Sequence, residues 1–396
     1  MYYRFILVIL QLKINLFETL QFNIHPDRDL SITDIFSKHG YPVELHELVT
    51  DDGYILTLHR IPRGKDYNKS NNEHPVLMVH GTCGGAENFI IAGPGKAISY
   101  YMADRGFDVW LLNTRGSRHS RKHTTLNPDT DKKYWDFGWH EVAVSDTPSA
   151  IDYILKVTNK TKLFYFGHSQ GSTSYFAFAS ERPEYNSKIN IAVNSAPSCL
   201  LGDVQNLVRL MGKHSSLIQE LGNILNLHEI FPRGYTELLN LVLKTLCSEM
   251  TFFVDLCYAI LYFGNVYGDM EPTTPQFVFS KAPGHCSLKQ LLHYFQIVYS
   301  GKQYDYGVEG NLRMYGTKSP PLYSFSNMTA PIALFYASED NICPSKGVER
   351  LAKLLPNLAM RYKVPSNTFG HVDFIFGKRV GRLVNEPVYQ LFKKYL

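Results

Sequence analysis

Short apolar runs of strand length recur along this chain, and helix-like stretches separate them. Pro75–Val79 ends at His80-Gly81 and is followed by the helical pattern of Pro94–Arg105. Asp108–Leu112 is followed by Glu141–Val157, and Lys162–Phe166 by Ser172–Ser180; Ile189–Asn194 is strand-like again. Uninterrupted runs of this kind suit strands buried on both faces of a parallel sheet. Their alternation with helices predicts an α/β fold with a mostly parallel sheet. Ahead of the series, Val43–Val49 and Tyr54–Arg60 flank Asp51-Asp52-Gly53, an Asp-Gly hairpin signal. Lys65–His74 is polar and reads as a loop.

The alternation stops near Ser198. From about Cys199 to Tyr323 the chain offers helix-like stretches, such as Tyr235–Leu246 and Leu288–Tyr299, without regular strands. Gly316–Leu322 is turn-rich and leads back to the core pattern, which resumes at Ile332–Ala337 with a helix over Lys346–Leu355. The expected organisation is an α/β core over residues 31–198 and 324–396, interrupted by a helical cap over 199–323. Residues 1–30 are expected to be an atypical signal peptide or an N-terminal extension. There Arg4 precedes the apolar run Phe5–Leu10, and Lys13 follows with no small-residue cleavage site.

Composition removes several classes. With 44% hydrophobic residues and a net charge of +4 over 396 residues, the chain is not a disordered polymer. Six cysteines are too few for a disulfide-built miniature, so an apolar core must stabilise it. The dense basic stretch Arg115–His123 (RGSRHSRKH) has no nucleic-acid reading module around it; it is expected to be a solvated loop, and no nucleic-acid partner is expected. No segment reaches about 18 uncharged apolar residues, so no transmembrane span is expected. Sequons at Asn68, Asn159 and Asn327 permit glycosylation.

Gly167-His168-Ser169-Gln170-Gly171 fits G-x-S-x-G, with the strand KLFYF before it and a helix after it. A serine on such a sharp strand-to-helix turn exposes its hydroxyl at the sheet edge, and glycines flank it because side chains would clash. A serine hydroxyl needs a base and an acid that orients the base. In this arrangement the order is Ser, acid, His. Beyond the late strand Ile332–Ala337 stand Glu339 and Asp340, of which Asp340 is favoured. His371 is the only histidine after His293 and is the expected base. The oxyanion donors are expected to be the backbone N–H groups of Gln170, after the nucleophile, and Thr82, in the loop after Pro75–Val79.

With these residues in place the chain resembles the acid lipases, the group of gastric and lysosomal acid lipase. The matching stretches include DGYILTLHRIP (Asp52–Pro62), ADRGFDVWLLNTRG (Ala103–Gly116), WHEVAVSDTPSAIDYIL (Trp139–Leu155), GHSQG, SGKQYDYG (Ser300–Gly307), YGTKSPPLY (Tyr315–Tyr323) and HVDFIFG (His371–Gly377). The resemblance implies an α/β-hydrolase core, a helical cap, hydrolysis of lipid esters and a secreted or lysosomal destination. It supports Ser169, Asp340 and His371 as the triad, with Thr82 and Gln170 as oxyanion donors, and it suggests a Cys247–Cys257 disulfide. Two departures stand out. The loop after His-Gly reads Thr82-Cys83-Gly84-Gly85, more polar and flexible than the family's apolar loop, and is expected to alter acyl-chain preference or weaken preorganisation of the oxyanion site. Ser117 and His119 replace residues that are often Asn and Tyr, and Arg115 there is read as structural.

No Cys/His spacing suits zinc, and Gly93–Lys96 (GPGK) lacks the spacing and the Ser/Thr of a phosphate loop, so no metal or cofactor is implied. The expected activity is a serine lipase acting on neutral lipid esters through an acyl-enzyme. The rival readings are an esterase or acyltransferase for smaller soluble esters, and a silent lipid carrier. Thr251–Gly264 (TFFVDLCYAILYFG) carries one charge, Asp255, and is expected either to be a buried cap helix or to meet a lipid interface.

Overall fold

In a computed structural model the chain is described over residues 24–66, 74–198, 207–247, 253–262, 268–300 and 302–396. Most of the expected N-terminal segment and the Asn68 sequon lie outside these residues.

The hairpin forms as the Asp-Gly signal requires. Strands β1 (Glu44–Val49) and β2 (Tyr54–Ile61) pair antiparallel, with Leu48 opposite Leu56. The turn needs Gly53, whose φ is +94°, and it closes with Gly53 N–H donating to Thr50 O at 2.9 Å. Strands β3 (His74–Val79), β4 (Phe107–Leu112), β5 (Leu163–His168), β6 (Ile189–Ser195), β7 (Ile332–Tyr336) and β8 (Leu358–Lys363) complete the sheet. Its order is β1-β2-β4-β3-β5-β6-β7-β8; every pairing from β4 to β8 is parallel, and Lys122–His123 adds a short piece beside β2. All six residues of β4 and of β5 are buried, as expected for strands covered on both faces.

The strand β8 escapes the sequence reading. Its residues LAMRYK alternate between half-buried and exposed, so this edge strand has no apolar run to announce it. The helix expected over Pro94–Arg105 contracts to α1 (Ile98–Ala103), because Gly93 and Gly95 take φ values of +79° and +77° ahead of it. The long helix over Trp139–Thr158 contains a π-turn at Val142–Asp146 before α2 (Thr147–Thr158). Helix α3 (Gln170–Glu181) follows β5 directly, and α7 (Ser345–Leu354) and α8 (Glu386–Lys393) cover the far end; the helices between them are α4 (Arg233–Leu246), α5 (Val254–Leu261) and α6 (Leu288–Ser300). These last three, with Ser215–Ile224 and Thr274–Lys281, lie between β6 and β7 in sequence. Among the described residues no helix is long and apolar enough to cross a membrane.

The basic stretch is not a solvated loop. Arg115 is fully buried; its Nε donates to Asp146 Oδ1 at 2.7 Å and its NH1 to Asp52 Oδ2 at 2.6 Å, while the guanidinium lies over the Tyr54 ring at 4.0 Å. His119 pairs with Glu87 at 2.6 Å, and Arg121 bonds Asp129 at 2.8 Å and also Glu229. Charge density in the sequence does not reveal this, because counter-charges come from the hairpin turn, the π-turn, Glu87 and the short strand Glu229–Ile230 far along the chain. Arg115 thereby pins the β1–β2 turn, the loop after β4 and the long helix together, and burial pushes the Asp146 carboxyl up to about 6 against the pull of Arg115. Removing one partner of a buried pair leaves the other uncompensated and costs about 3–5 kcal/mol. Arg115→Leu is therefore expected to lower the unfolding free energy by that amount in urea titration; a loss under about 1 kcal/mol would place the pair among inconsequential surface pairs.

Candidate active site

The turn between β5 and α3 is built by close backbone approach. Ser169 sits at φ 52°, ψ −111°, a conformation that a non-glycine residue adopts only when its surroundings enforce it. They do so here. A Cβ on Gly171 would stand 2.0 Å from Val79 O, and one on Gly167 would stand 2.6 Å from Gly171 C. Ser169 N–H donates to Ser195 O at 3.0 Å, tying the turn to β6, and Ser172 Oγ donates to Gly167 O at 2.9 Å within the turn.

The remaining groups converge on that serine. Ser169 Oγ lies 2.9 Å from His371 Nε2, and His371 Nδ1 lies 2.9 Å from Asp340 Oδ2. Asp340 is buried, and its Oδ1 accepts the backbone N–H groups of Ile342 at 2.9 Å and Cys343 at 2.7 Å. A carboxylate already accepting two N–H groups is acceptor only towards the imidazole, which sets the proton on Nδ1 and leaves Nε2 to receive the serine hydroxyl. Glu339 is exposed and makes no part of this chain of contacts. The His168 ring packs 5.2 Å from that of His371, and burial holds His168 well below the usual histidine range.

Behind His371, Asp373 accepts the Gly370 N–H at 2.7 Å, the Asp269 N–H at 3.1 Å and the Tyr262 hydroxyl. Burial pushes its carboxyl up to about 6. These bonds fix the loop that carries the imidazole.

The loop His80-Gly81-Thr82 passes against the serine: a Cβ on Gly81 would lie 3.3 Å from Ser169 Cβ. Gln170 opens α3, where backbone N–H groups have no partner inside the helix. Above both is a cavity of about 440 Å³ with Thr82, Ser169 and His371 at its floor. Its walls are apolar, from Leu261 of α5, Phe279 of Thr274–Lys281, Leu291 and Phe295 of α6, and Ile375 beyond the histidine. Among the described residues, Asp340, Cys343 and His371 form the single cluster with metal-ligand atoms near one another. Both nitrogens of the His371 ring are already engaged, by Asp340 and Ser169, so the cluster is better suited to proton transfer than to holding a cation.

Cys247 and Cys257 are joined, with Cα atoms 5.7 Å apart. A second disulfide, Cys83–Cys286, lies outside the sequence reading, since no spacing relates cysteines 203 positions apart. It corrects the expectation of a flexible Thr82-Cys83-Gly84-Gly85 loop, which is covalently tied. Asn159 and Asn327 are both exposed.

A strained serine turn, an ordered Ser-His-Asp chain and this strand order define an esterase-type hydrolase. The family model for the alpha/beta hydrolase fold matches residues 74–378, and that for a partial alpha/beta-hydrolase lipase region matches residues 32–93. Lipase 1 of Drosophila melanogaster is 34% identical over 94% of this chain and 82% of its own length. The gastric triacylglycerol lipase of Bos taurus is 33% identical, covering 89% of this chain and 88% of its own, and a putative lysosomal acid lipase/cholesteryl ester hydrolase of Crotalus adamanteus is 31% identical over 94% and 92%. The chain belongs to the α/β-hydrolase fold family and, within it, to the acid lipases. It is a carboxylic ester hydrolase of lipid esters.

The clearance at Gly171 yields a direct check. Gly171→Ala must displace either β3 or the serine turn, at a cost of about 3 kcal/mol by the measure of overpacked cores. The expected outcome is a lower unfolding midpoint together with loss of fluorophosphonate labelling; an active, equally stable variant would contradict the packing described.

Proposed function

We propose that this lipase hydrolyses neutral lipid esters, triacylglycerols or cholesteryl esters, with Ser169, His371 and Asp340 as its catalytic triad. The observation that carries the reading is the Asp340–His371–Ser169 chain of contacts at 2.9 Å each, set in the floor of an apolar cavity. His371 Nε2 takes the Ser169 proton as Oγ attacks the ester carbonyl. The oxyanion is held by the backbone N–H groups of Thr82 and Gln170. Collapse of the tetrahedral species expels the alcohol, which His371 protonates, and leaves an acyl group on Ser169. His371 then deprotonates a water that attacks the acyl carbonyl, and the fatty acid leaves as Ser169 regains its proton. Asp340 keeps Nδ1–H in place and stabilises the imidazolium.

The segment 199–323 is proposed to be a cap on the core formed by 31–198 and 324–396. Support comes from β6 and β7, which pair side by side with Ala192 opposite Ile332, so the chain leaves and re-enters the sheet at adjacent strands. The cap also supports contact with a lipid–water interface. In α5, Cys257 is buried, Leu261 and Ile260 line the cavity, and Leu256 and Ile260 are exposed at 56% and 47%. In α4, Leu238 and Leu241 are exposed as well. A helix apolar towards both the cavity and the solvent fits neither a plain buried helix nor a plain surface one, and large exposed apolar patches mark such contacts. The two disulfides favour an oxidising destination, secreted or lysosomal, in which Asn68, Asn159 and Asn327 would be glycosylation acceptors.

Ser169→Ala is expected to lower kcat by about 10⁴–10⁶-fold with folding retained, and Asp340→Asn by about 10⁴-fold, while Glu339→Gln keeps wild-type turnover. A Ser169→Ala variant with a tenth of wild-type activity would end the assignment. The interfacial reading predicts that activity on a long-chain ester rises steeply once an emulsion forms. Leu256→Ser with Leu241→Ser should flatten that rise and spare a short soluble ester. Simple saturation through the solubility limit would instead favour an esterase for soluble substrates.

A further inference from the structure

Four contacts from one short stretch between β6 and β7 reach the Thr82 loop and the first turn of α3, which carry the proposed oxyanion donors. Cys286 is bonded to Cys83, the residue after Thr82, with Cα atoms 5.0 Å apart. Two residues earlier, Gly284 N–H donates to Cys83 O at 2.8 Å; a Cβ on Gly284 would lie 3.0 Å from that oxygen, so the two backbones meet where only glycine fits comfortably. Four residues after Cys286, the amide of Gln290 donates to Gln170 Oε1 at 3.3 Å, and both side chains are buried. One helical turn further, the Tyr294 hydroxyl donates to Thr173 Oγ1 at 3.1 Å, on the first turn of α3.

The stretch is itself held firmly. Cys286 pairs with Ile230 in a two-stranded ladder, Leu288 N–H donates to His228 O at 2.8 Å, Ser287 N–H donates to Gln290 Oε1 at 2.9 Å, and Ser287 Oγ bonds Phe137 O. The Thr82 loop, by contrast, carries Gly81, Gly84 and Gly85, and Cys83 takes φ 51°. Glycines leave such a loop many conformations, and only one of them can present an N–H group to a developing oxyanion.

We propose that residues 284–294 are a positioning clamp for the oxyanion hole, in which the Cys83–Cys286 disulfide fixes the Thr82 loop and Gln290 fixes Gln170, so that both N–H groups keep the spacing a tetrahedral oxyanion requires. The proposal rests on the oxyanion and triad assignment made above. Its physical basis is preorganisation: donors already aimed at the developing charge cost nothing to orient during reaction, and small displacements of such groups cost orders of magnitude in rate.

The test uses two variants of the full chain, Cys83→Ala/Cys286→Ala and Gln290→Leu, with a short soluble ester and a fluorophosphonate probe. Each variant is expected to lower kcat by about 10–100-fold, less than outright removal of a donor, with KM within about threefold of wild type. The rate of phosphonylation should fall in parallel, since the phosphonyl oxygen occupies the same hole. A purely structural role would lower the unfolding midpoint and leave both rates at 25 °C unchanged. Mapping the labelled peptide of the wild-type protein separates the two levels of the argument. Label on Ser169 together with wild-type kcat in Gln290→Leu and in the folded double variant overturns the clamp and leaves the triad standing. Label elsewhere overturns the triad reading, and the clamp with it. If the double variant does not fold, Gln290→Leu, with its disulfide intact, decides.

Discussion

The contact between Gly171 and the carbonyl of Val79 governs the geometry of this molecule. A side chain at that position would stand 2.0 Å from the oxygen, so only glycine lets the first turn of α3 settle onto β3. That closeness is what makes the reversal after β5 sharp enough to lift Ser169 out at φ 52°. The strain is held by the parallel sheet, because Val79 and Ser195 belong to the strands on either side of β5 and both meet the turn. The placement of Ser169 therefore depends on how tightly three adjacent strands pack, and less on the serine's own neighbours in sequence.

Two other devices work at longer range. Arg115 satisfies Asp52 and Asp146 from a fully buried position and joins the antiparallel hairpin to the helical layer. Such a pair adds little net stability over an apolar equivalent but is costly to break, so its effect is to specify one arrangement of those elements. The Cys83–Cys286 bond connects the loop beside the serine to a stretch 203 residues later. Cross-links over long separations chiefly restrict the unfolded chain. Here the same bond also restricts a glycine-rich loop in the folded state, beside Ser169.

The inserted helices supply what the sheet cannot. A parallel sheet offers a reactive edge but no container, and the apolar walls above Ser169 come largely from α5, α6 and Thr274–Lys281. Apolar residues on the outer faces of α4 and α5 remain in water. Leaving Leu238, Leu241, Leu256 and Ile260 exposed is unfavourable for a chain that meets only water, and favourable for one that works against a lipid surface.

The amino-acid sequence by itself determined the sheet's buried strands and the serine turn, because both are local. An unbroken apolar run of five or six residues has few other uses, and glycines on either side of a serine announce a backbone without room for side chains. It also narrowed the acid to two neighbouring residues, since a loop after a late strand is legible from the strand. The tertiary structure separates the two: Asp340 is buried with its carboxylate on His371, and Glu339 faces solvent. It alone revealed the partners of Arg115, the edge strand β8 and the Cys83–Cys286 bond. Each of these is a relation between segments distant in the chain, or an element whose half-exposed residues leave no periodic mark, and no window along the sequence contains the two groups whose meeting defines it.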